Sequence, residues 1–321
     1  MVASANGHAQ APELLVLGGG GVLGEAWMAA TLAGMQEAGG FDARGCGGYI
    51  GTSAGSIVAA GLAGGMAPRE RLKQIEREPV RVRAQRAGPE PALAQALELL
   101  AGVGRAATAA AAAPAIALGL RFAEPAGALL RRTALARMRA GRWSLAELGR
   151  AIDRLGLSWD GRLLIAAVDV ASGRRVMFGA GGAREASVSQ AVQASCAIPG
   201  ICRPVRIGER TYVDGGVWSP TNMDAAGVGR GARVLCPNPT GSLRAPPLPV
   251  GMLAAVSRSL AAGEALALRR RGARVTVVNP DRTSSLAMGA SLLDSGPRPD
   301  VIAAGLAQGH RLAAALAQQR V

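Results

Sequence analysis

Histidine is almost missing from this chain of 321 residues: His8 and His310 are the only two. Lysine is scarcer still, with Lys73 alone among 36 basic residues, so the basic surface is arginine. Aromatic residues make up only 3%, so a core drawn from a 49% hydrophobic chain must be filled mostly by Ala, Leu and Val. Few aromatics also means few bases could be stacked, which argues against nucleic acid as the partner of the formal +14 charge. General solvation of the surface is the main reading of that charge, with attraction to an anionic membrane second.

Long hydrophobic runs are missing too. The longest, "AATAAAAAPAIALGL" over 106–120, is bounded by Arg105 and Arg121 and interrupted by Pro114. It is too short and too rich in alanine to span a bilayer, and reads as a core or membrane-surface helix. The N-terminus, "MVASANGHAQAPE", lacks a basic stretch leading into an apolar one, so it reads as a disordered tail over 1–12 rather than a signal peptide. Four cysteines (Cys46, Cys196, Cys202, Cys236) have no metal-ligand spacing and are too sparse for a disulfide scaffold. Free thiols, a cytoplasmic location with peripheral membrane contact, and no metal or cofactor are expected.

What the chain does have is patterned. Residues 13–66 read as strand, glycine turn, helix, strand, sharp turn and helix, the βαβα order of a parallel sheet covered by helices. Residues 67–150 hold a charge run and alanine-rich helical segments without a convincing strand, and read as a helical insertion. A cap over an active site and a plain structural layer are equal readings of it. As a cap it would meet an anionic membrane through Arg69, Arg71, Lys73, Arg77, Arg81, Arg83 and Arg86, although interspersed Glu70, Glu76 and Glu78 also suit a solvated face. From 161 onward "RLLIAAVDV" and "RRVMFG" predict one hairpin and "PVRIGERTYVDGG" another. "SVSQAVQAS" predicts a helix, "ARVLCPN" and "ARVTVVNP" buried strands, and the tail from 298 a helix.

Two stretches carry chemistry. "GTSAGS" places Gly51, Ser53 and Gly55 in G-x-S-x-G between an apolar strand and a helix, the setting of a nucleophile on a strained turn. A serine nucleophile needs a base. His8 lies in the tail and His310 within a helical pattern, so a carboxylate is the better candidate. Asp214, at a strand end before Gly215 and Gly216, offers one, although Asp-Gly also serves plain hairpin turns.

"GGGGVLG", "GTSAGS" and "DGG", in that order, together with "ASCAIPGICRPVRIGERTYVDGGVWSPTNMDAA", resemble the patatin-like phospholipase family. The resemblance covers about 13–66 and 161–236. It implies a patatin-type three-layer α/β/α sandwich with a mainly parallel central sheet and a helical insertion, one domain over 13–321 with 67–150 inserted. It also implies a Ser53–Asp214 dyad acting through an acyl-enzyme on a lipid, lysophospholipid or related ester, with the N–H groups of Gly19, Gly20 and Gly21 as the oxyanion hole and Gly24 completing the turn. One position departs: where the family's glycine motif carries Arg or Lys, this chain has Leu23, which leaves headgroup preference open.

Two other readings compete. Gly19, Gly21 and Gly24 also fit G-x-G-x-x-G, the dinucleotide fingerprint, with Asp42 as its acidic partner, but "AGGFDARGCGG" is not strand-like. The Arg- and Ala-rich middle could instead make the protein a non-catalytic membrane- or partner-binding module.

Overall fold

The computed structural model describes residues 11–78, 124–179, 186–242, 250–289 and 291–318. Its first strand, β1 (Leu14–Leu17), is the unbroken apolar run "LLVL", fully buried. Such a run suits a strand covered on both faces. Leu15 and Leu17 enter the larger core cluster on one side, and Leu14 and Val16 a second cluster on the other.

The order then runs α1 (Gly21–Glu37), β2 (Gly48–Thr52), α2 (Ala54–Ala63), α3 (Pro68–Arg77), α4 (Glu124–Arg137), α5 (Ala146–Asp153), β3 (Leu163–Asp169), β4 (Arg175–Phe178) and α6 (Val188–Ser195). It continues with β5 (Val205–Ile207), β6 (Arg210–Asp214), β7 (Arg233–Pro237), α7 (Val250–Arg270), β8 (Arg274–Val278), α8 (Arg282–Met288) and α9 (Arg298–Gln318). Both expected hairpins form, β3–β4 and β5–β6, and each expected later strand and helix is present.

Eight strands form one sheet in the order β5-β6-β3-β2-β1-β7-β8, with β4 also paired to β3. The β2–β1–β7–β8 side is parallel, as is β2 with β3, whereas β4, β5 and β6 pair antiparallel. Residues of α1, α2, α3, α5, α6, α8 and α9 share the larger core on one face. On the other face, α7 packs over Val16, Ile50 and Cys236, and Leu135 of α4 packs over Val168 and Val213. This is the three-layer α/β sandwich, mainly parallel at its centre, that the resemblance implies.

Strand β3 carries β4 along one edge, paired through Ile165–Val168. Its other edge is shared by β2, which ends with Thr52 opposite Ala166, and β6, which ends with Asp214 opposite Ala167. Because β2 runs parallel and β6 antiparallel to β3, the two meet end to end. Their C-terminal residues, distant in sequence, abut on consecutive residues of β3.

The predicted insertion is described only in part: residues 79–123, with the 106–120 run and Arg81, Arg83 and Arg86, lie outside the described residues. The flanking parts belong to the sandwich. Leu72 and Ile75 of α3 and Ile152 of α5 are buried in the larger core. Arg71, one of the cations of the cap reading, is not free to meet either a membrane or solvent. Its guanidinium binds Glu25 of α1 at 2.5 Å and Glu78 at 3.2 Å, and it is largely buried. Burial raises the Glu25 carboxyl above its ordinary range and the Arg71 charge offsets part of that rise, so the pair is a structural tie between helices. Arg69 is likewise paired, with Glu37 at 3.0 Å. At the start of the chain, Pro12 is buried and the Ala11 carbonyl accepts from Arg233 at 2.7 Å, so the last two residues of the expected tail are packed.

Candidate active site

Ser53 follows directly on β2 and precedes α2 with φ 52° and ψ −125°, one of two non-glycine residues with positive φ among those described. A β-carbon in that region costs about 1–3 kcal/mol of strain, which the surroundings must hold in place. The Ser53 N–H donates to Ser195 Oγ at 2.8 Å and its carbonyl accepts from Ser56 Oγ at 2.6 Å. The flanking glycines are needed for contact. A β-carbon on Gly51 would lie 2.5 Å from Ser56 Cα, and one on Gly55 only 2.0 Å from the Leu17 carbonyl oxygen. The turn is sharp because α2 starts pressed against the end of β1.

Asp214 closes β6, and its N–H donates to the Ala197 carbonyl at 2.9 Å, which fastens the proline-containing loop beneath it. It does not open a hairpin: it caps the short turn Gly215–Val217, accepting the Gly216 N–H on Oδ1 at 2.7 Å. Gly215 lets this turn press on β3, since a β-carbon there would sit 2.4 Å from the Ala166 oxygen. Asp214 is 5% exposed and Ser53 8%. Burial pushes the Asp214 carboxyl up to about 6, against hydrogen bonds from Ser53 and Gly216 that pull it back down. Ser53 thus lies close enough to Asp214 for its side chain to lower that carboxyl.

His310 is not near them. Its Nε2 faces Glu37 at 3.3 Å. Glu37 ends the helix whose first residue is Gly21, about 24 Å away at 1.5 Å per residue. His8 lies outside the described residues.

The glycine turn lies against the elbow: a β-carbon on Gly19 would be 3.5 Å from Ser53 Cβ. Its donors divide. The Gly18 N–H is bonded to the Pro237 carbonyl at 3.1 Å and the Gly19 N–H to the Pro220 carbonyl at 2.8 Å. Gly19, expected as an oxyanion donor, is thus already committed, a correction to the predicted trio. Gly20 and Gly21 donate to no partner among the described residues and stand at the N-terminal, partially positive end of α1. Gly20 and Gly24 leave room for Pro239, whose Cβ would fall 2.6 and 3.0 Å from their β-carbons. Leu23 is fully buried, so its side chain belongs to the core. Asp42 caps the turn Ala43–Gly45 and binds Arg44, while the strand after it ends at Thr52 and leads into Ser53. The dinucleotide reading therefore lacks its acidic strand end.

Sequence reading missed the residues that hold the three segments together. Asn222, fully buried and left-handed at φ 50°, donates from Nδ2 to Thr52 Oγ1 at 3.0 Å, Ser219 O at 2.6 Å and Gly215 O at 3.3 Å. It thereby ties the elbow strand to the acid turn, next to the Pro220 carbonyl that holds Gly19. Beneath that loop Glu264 of α7, 2% exposed, accepts from Ser219 Oγ at 2.6 Å, the Met223 N–H at 2.8 Å and the Thr221 hydroxyl. The "SPTN" after the acid was a turn-like signal for the loop, and Ser195 lay within a plain helical pattern. Nothing local marked Glu264.

Among the described residues no group of three or more His, Cys, Asp or Glu is placed to hold a metal ion. None of the described helices is long and apolar enough to cross a membrane.

The profile of the patatin-like phospholipase family matches residues 15–226, about two-thirds of the chain. No curated protein matches. Among solved structures, VipD from Legionella pneumophila is similar at a TM-score of 0.44 and 18% identity, over 95% of this chain and 67% of that one. The family match spans β1, the glycine turn, the elbow and the acid turn, and on it the chain belongs to the patatin-like phospholipase family.

Proposed function

We propose that the protein is a serine acyl hydrolase that cleaves the carboxylic ester of a phospholipid, lysophospholipid or related acyl ester through Ser53 and Asp214. The observation that carries this reading is the buried pair itself, a strained serine and a carboxyl raised to about 6 that Ser53 pulls back down, beside two N–H groups with no partner among the described residues. In its ionised form Asp214 accepts the Ser53 proton as Oγ bonds to the ester carbonyl carbon. The negative charge that develops on the carbonyl oxygen is held by the N–H groups of Gly20 and Gly21, each such donor being worth about 3–4 kcal/mol. Collapse breaks the ester C–O bond, and the departing alcohol takes the proton from Asp214. Water then gives its proton to Asp214 and attacks the acyl carbon. The acid leaves, and Ser53 regains its proton.

The test is labelling with a fluorophosphonate and identification of the modified peptide, beside hydrolysis of p-nitrophenyl esters. Modification at Ser53, with activity abolished in S53A, is the expected result. Activity that persists in S53A overturns the dyad. Liposome binding with no esterase activity at any chain length favours a binding module instead.

Residues 13–321 are read as one catalytic domain, since β7, β8 and Glu264 complete the sheet and the site. Four free cysteines fit a reducing, cytoplasmic setting. Peripheral contact with an anionic membrane also belongs to this reading, but on a different surface from the one α3 suggested. Leu129, Leu130 and Trp143 are among the exposed large apolar side chains, and Arg132, Arg137, Arg139 and Arg142 beside them in the chain are exposed. Aromatic and aliphatic groups among cations suit an anionic interface. Vesicle sedimentation checks this: binding should rise with anionic lipid and fall in W143A, and equal binding to neutral vesicles overturns it.

A further inference from the structure

We infer that Leu292 and Leu293, in the segment following α8, build the apolar wall against which the substrate's acyl chain lies, with Leu293 as the residue that sets chain-length preference. The inference rests on the acyl hydrolase reading above and concerns the part of the substrate that the dyad does not touch.

Three observations place this segment at the reacting end of α1. The Leu292 carbonyl accepts the Leu23 N–H at 3.0 Å, so it occupies one of the unsatisfied donors of the helix's first turn and leaves those of Gly20 and Gly21. Gly21, at φ 57°, has the same segment against it. A β-carbon there would be 2.7 Å from Leu292 O and 2.8 Å from Leu293 Cδ2. On its other side Leu293 packs with Ala197, Ile201 and Cys202, together with the partly buried Ile198. Ala197 is the residue whose carbonyl takes the Asp214 N–H. Leu293 therefore bridges the glycine turn and the loop under the acid, the two segments that flank Ser53.

The chemistry follows from what this bridge is made of. An ester attacked by Ser53 with its carbonyl oxygen on Gly20 and Gly21 sends its acyl chain to one flank of those glycines and its alcohol to the other, and the aliphatic flank is the one that suits the acyl chain. The side chains bordering them are Leu293 at Gly21 and the buried Pro239 at Gly20, and Ile198 packs on the same cluster as Leu293; Leu293 and Ile198 are partly exposed, and none of the three carries charge. Leu23, buried with its N–H on Leu292, brings no charge to this end of the helix. A partly exposed aliphatic wall beside an oxyanion site selects for methylenes and disfavours charge. Leu293 lies beyond 226, outside the stretch matching the family, whereas the cluster it packs against lies within it.

The test measures kcat/KM for p-nitrophenyl acetate, butyrate, octanoate and palmitate in the full-length protein and in L293W, L293A and L293M. Filling the wall with Trp should lower the octanoate-to-acetate ratio by about tenfold or more. L293A should lower it less, and L293M, similar in volume, should keep the wild-type profile. Thermal unfolding of each variant accompanies the kinetics, and L293A carries the test if L293W does not fold. An unchanged ratio in folded L293W and L293A overturns the wall, as does an equal fall for every ester. If wild type hydrolyses none of the esters and Ser53 is not labelled by a fluorophosphonate, the hydrolase reading itself has failed.

Discussion

Asp214 has to be charged to take a proton and is buried where charge is costly. As the base it should make kcat/KM rise with pH through about 6 to a plateau, the profile of one ionising carboxylate. A rate that is flat from pH 4.5 to 8 would remove Asp214 from that role. The same shift has a stability sign. Its folded value lies above the ordinary 3.8, so the native state holds the proton more tightly. The stability this contributes is fully present below about 3.8 and is lost as pH rises through about 6. D214N, which cannot ionise, should therefore unfold at a higher temperature than wild type at pH 7.5 and at nearly the same temperature at pH 3.5. The difference is on the order of 3 kcal/mol at most. Ser53 tells a parallel story in backbone geometry. S53G should be more stable than S53A by about 1 kcal/mol in denaturant titration, because glycine accepts φ 52° without strain. Both catalytic candidates could be read in the sequence because each lies in a short local pattern set by sterics: small residues around a sharp turn. The donor assignment could not. Whether Gly19 or Gly21 keeps a free N–H depends on Pro220, two hundred residues away in the chain.

Strands and helices were legible wherever one face or both are apolar over a few residues, as in "LLVL", "RLLIAAVDV" and "SVSQAVQAS". Their mutual placement was not. Residues 67–78 look in sequence like a basic surface helix, yet Leu72 and Ile75 bury it and Arg71 serves Glu25. The loop from Ser219 to Met223 is the clearest case of an element whose role is fixed by its partners. Asn222 is a positioning residue: it touches the strand before Ser53 and the turn after Asp214. N222A should lower kcat by about 10- to 100-fold with little change in KM, since groups misplaced by a fraction of an ångström still bind substrate. A change in KM alone would make it a binding residue. Glu264 supports that loop from below. E264A leaves two hydroxyls and an N–H without their acceptor and should cost about 3 kcal/mol or more, read from the urea midpoint.

Taken whole, the chain is larger than its family match. The match ends at 226, but β7 pairs with β1 at the centre of the sheet and α9 lies along α1. The two helices approach backbone to backbone, since a β-carbon on Gly309 would fall 2.2 Å from the Thr31 oxygen. A protein cut after 226 would expose β1 as an unpaired edge and strip the cover from α1. It should fail to give a cooperative melting transition, and a sharp one would show the remainder to be dispensable. The net charge of +14 acts at this scale as well, on how the surface is solvated and not on the fold.

The end-to-end meeting of β2 and β6 on β3 has a consequence in time. Strands β1 and β2 with their helices can assemble from neighbouring sequence, but Asp214 reaches Ser53 only after β3 has joined β2 and the β5–β6 hairpin has closed onto the rest of that edge. Loop closures over such separations are slow next to helix formation. On the proposed dyad, hydrolytic competence is then a clock for the last docking event. On dilution from denaturant, far-ultraviolet circular dichroism should recover first and ester turnover later, and no partly assembled chain would release acyl chemistry before its sheet is whole.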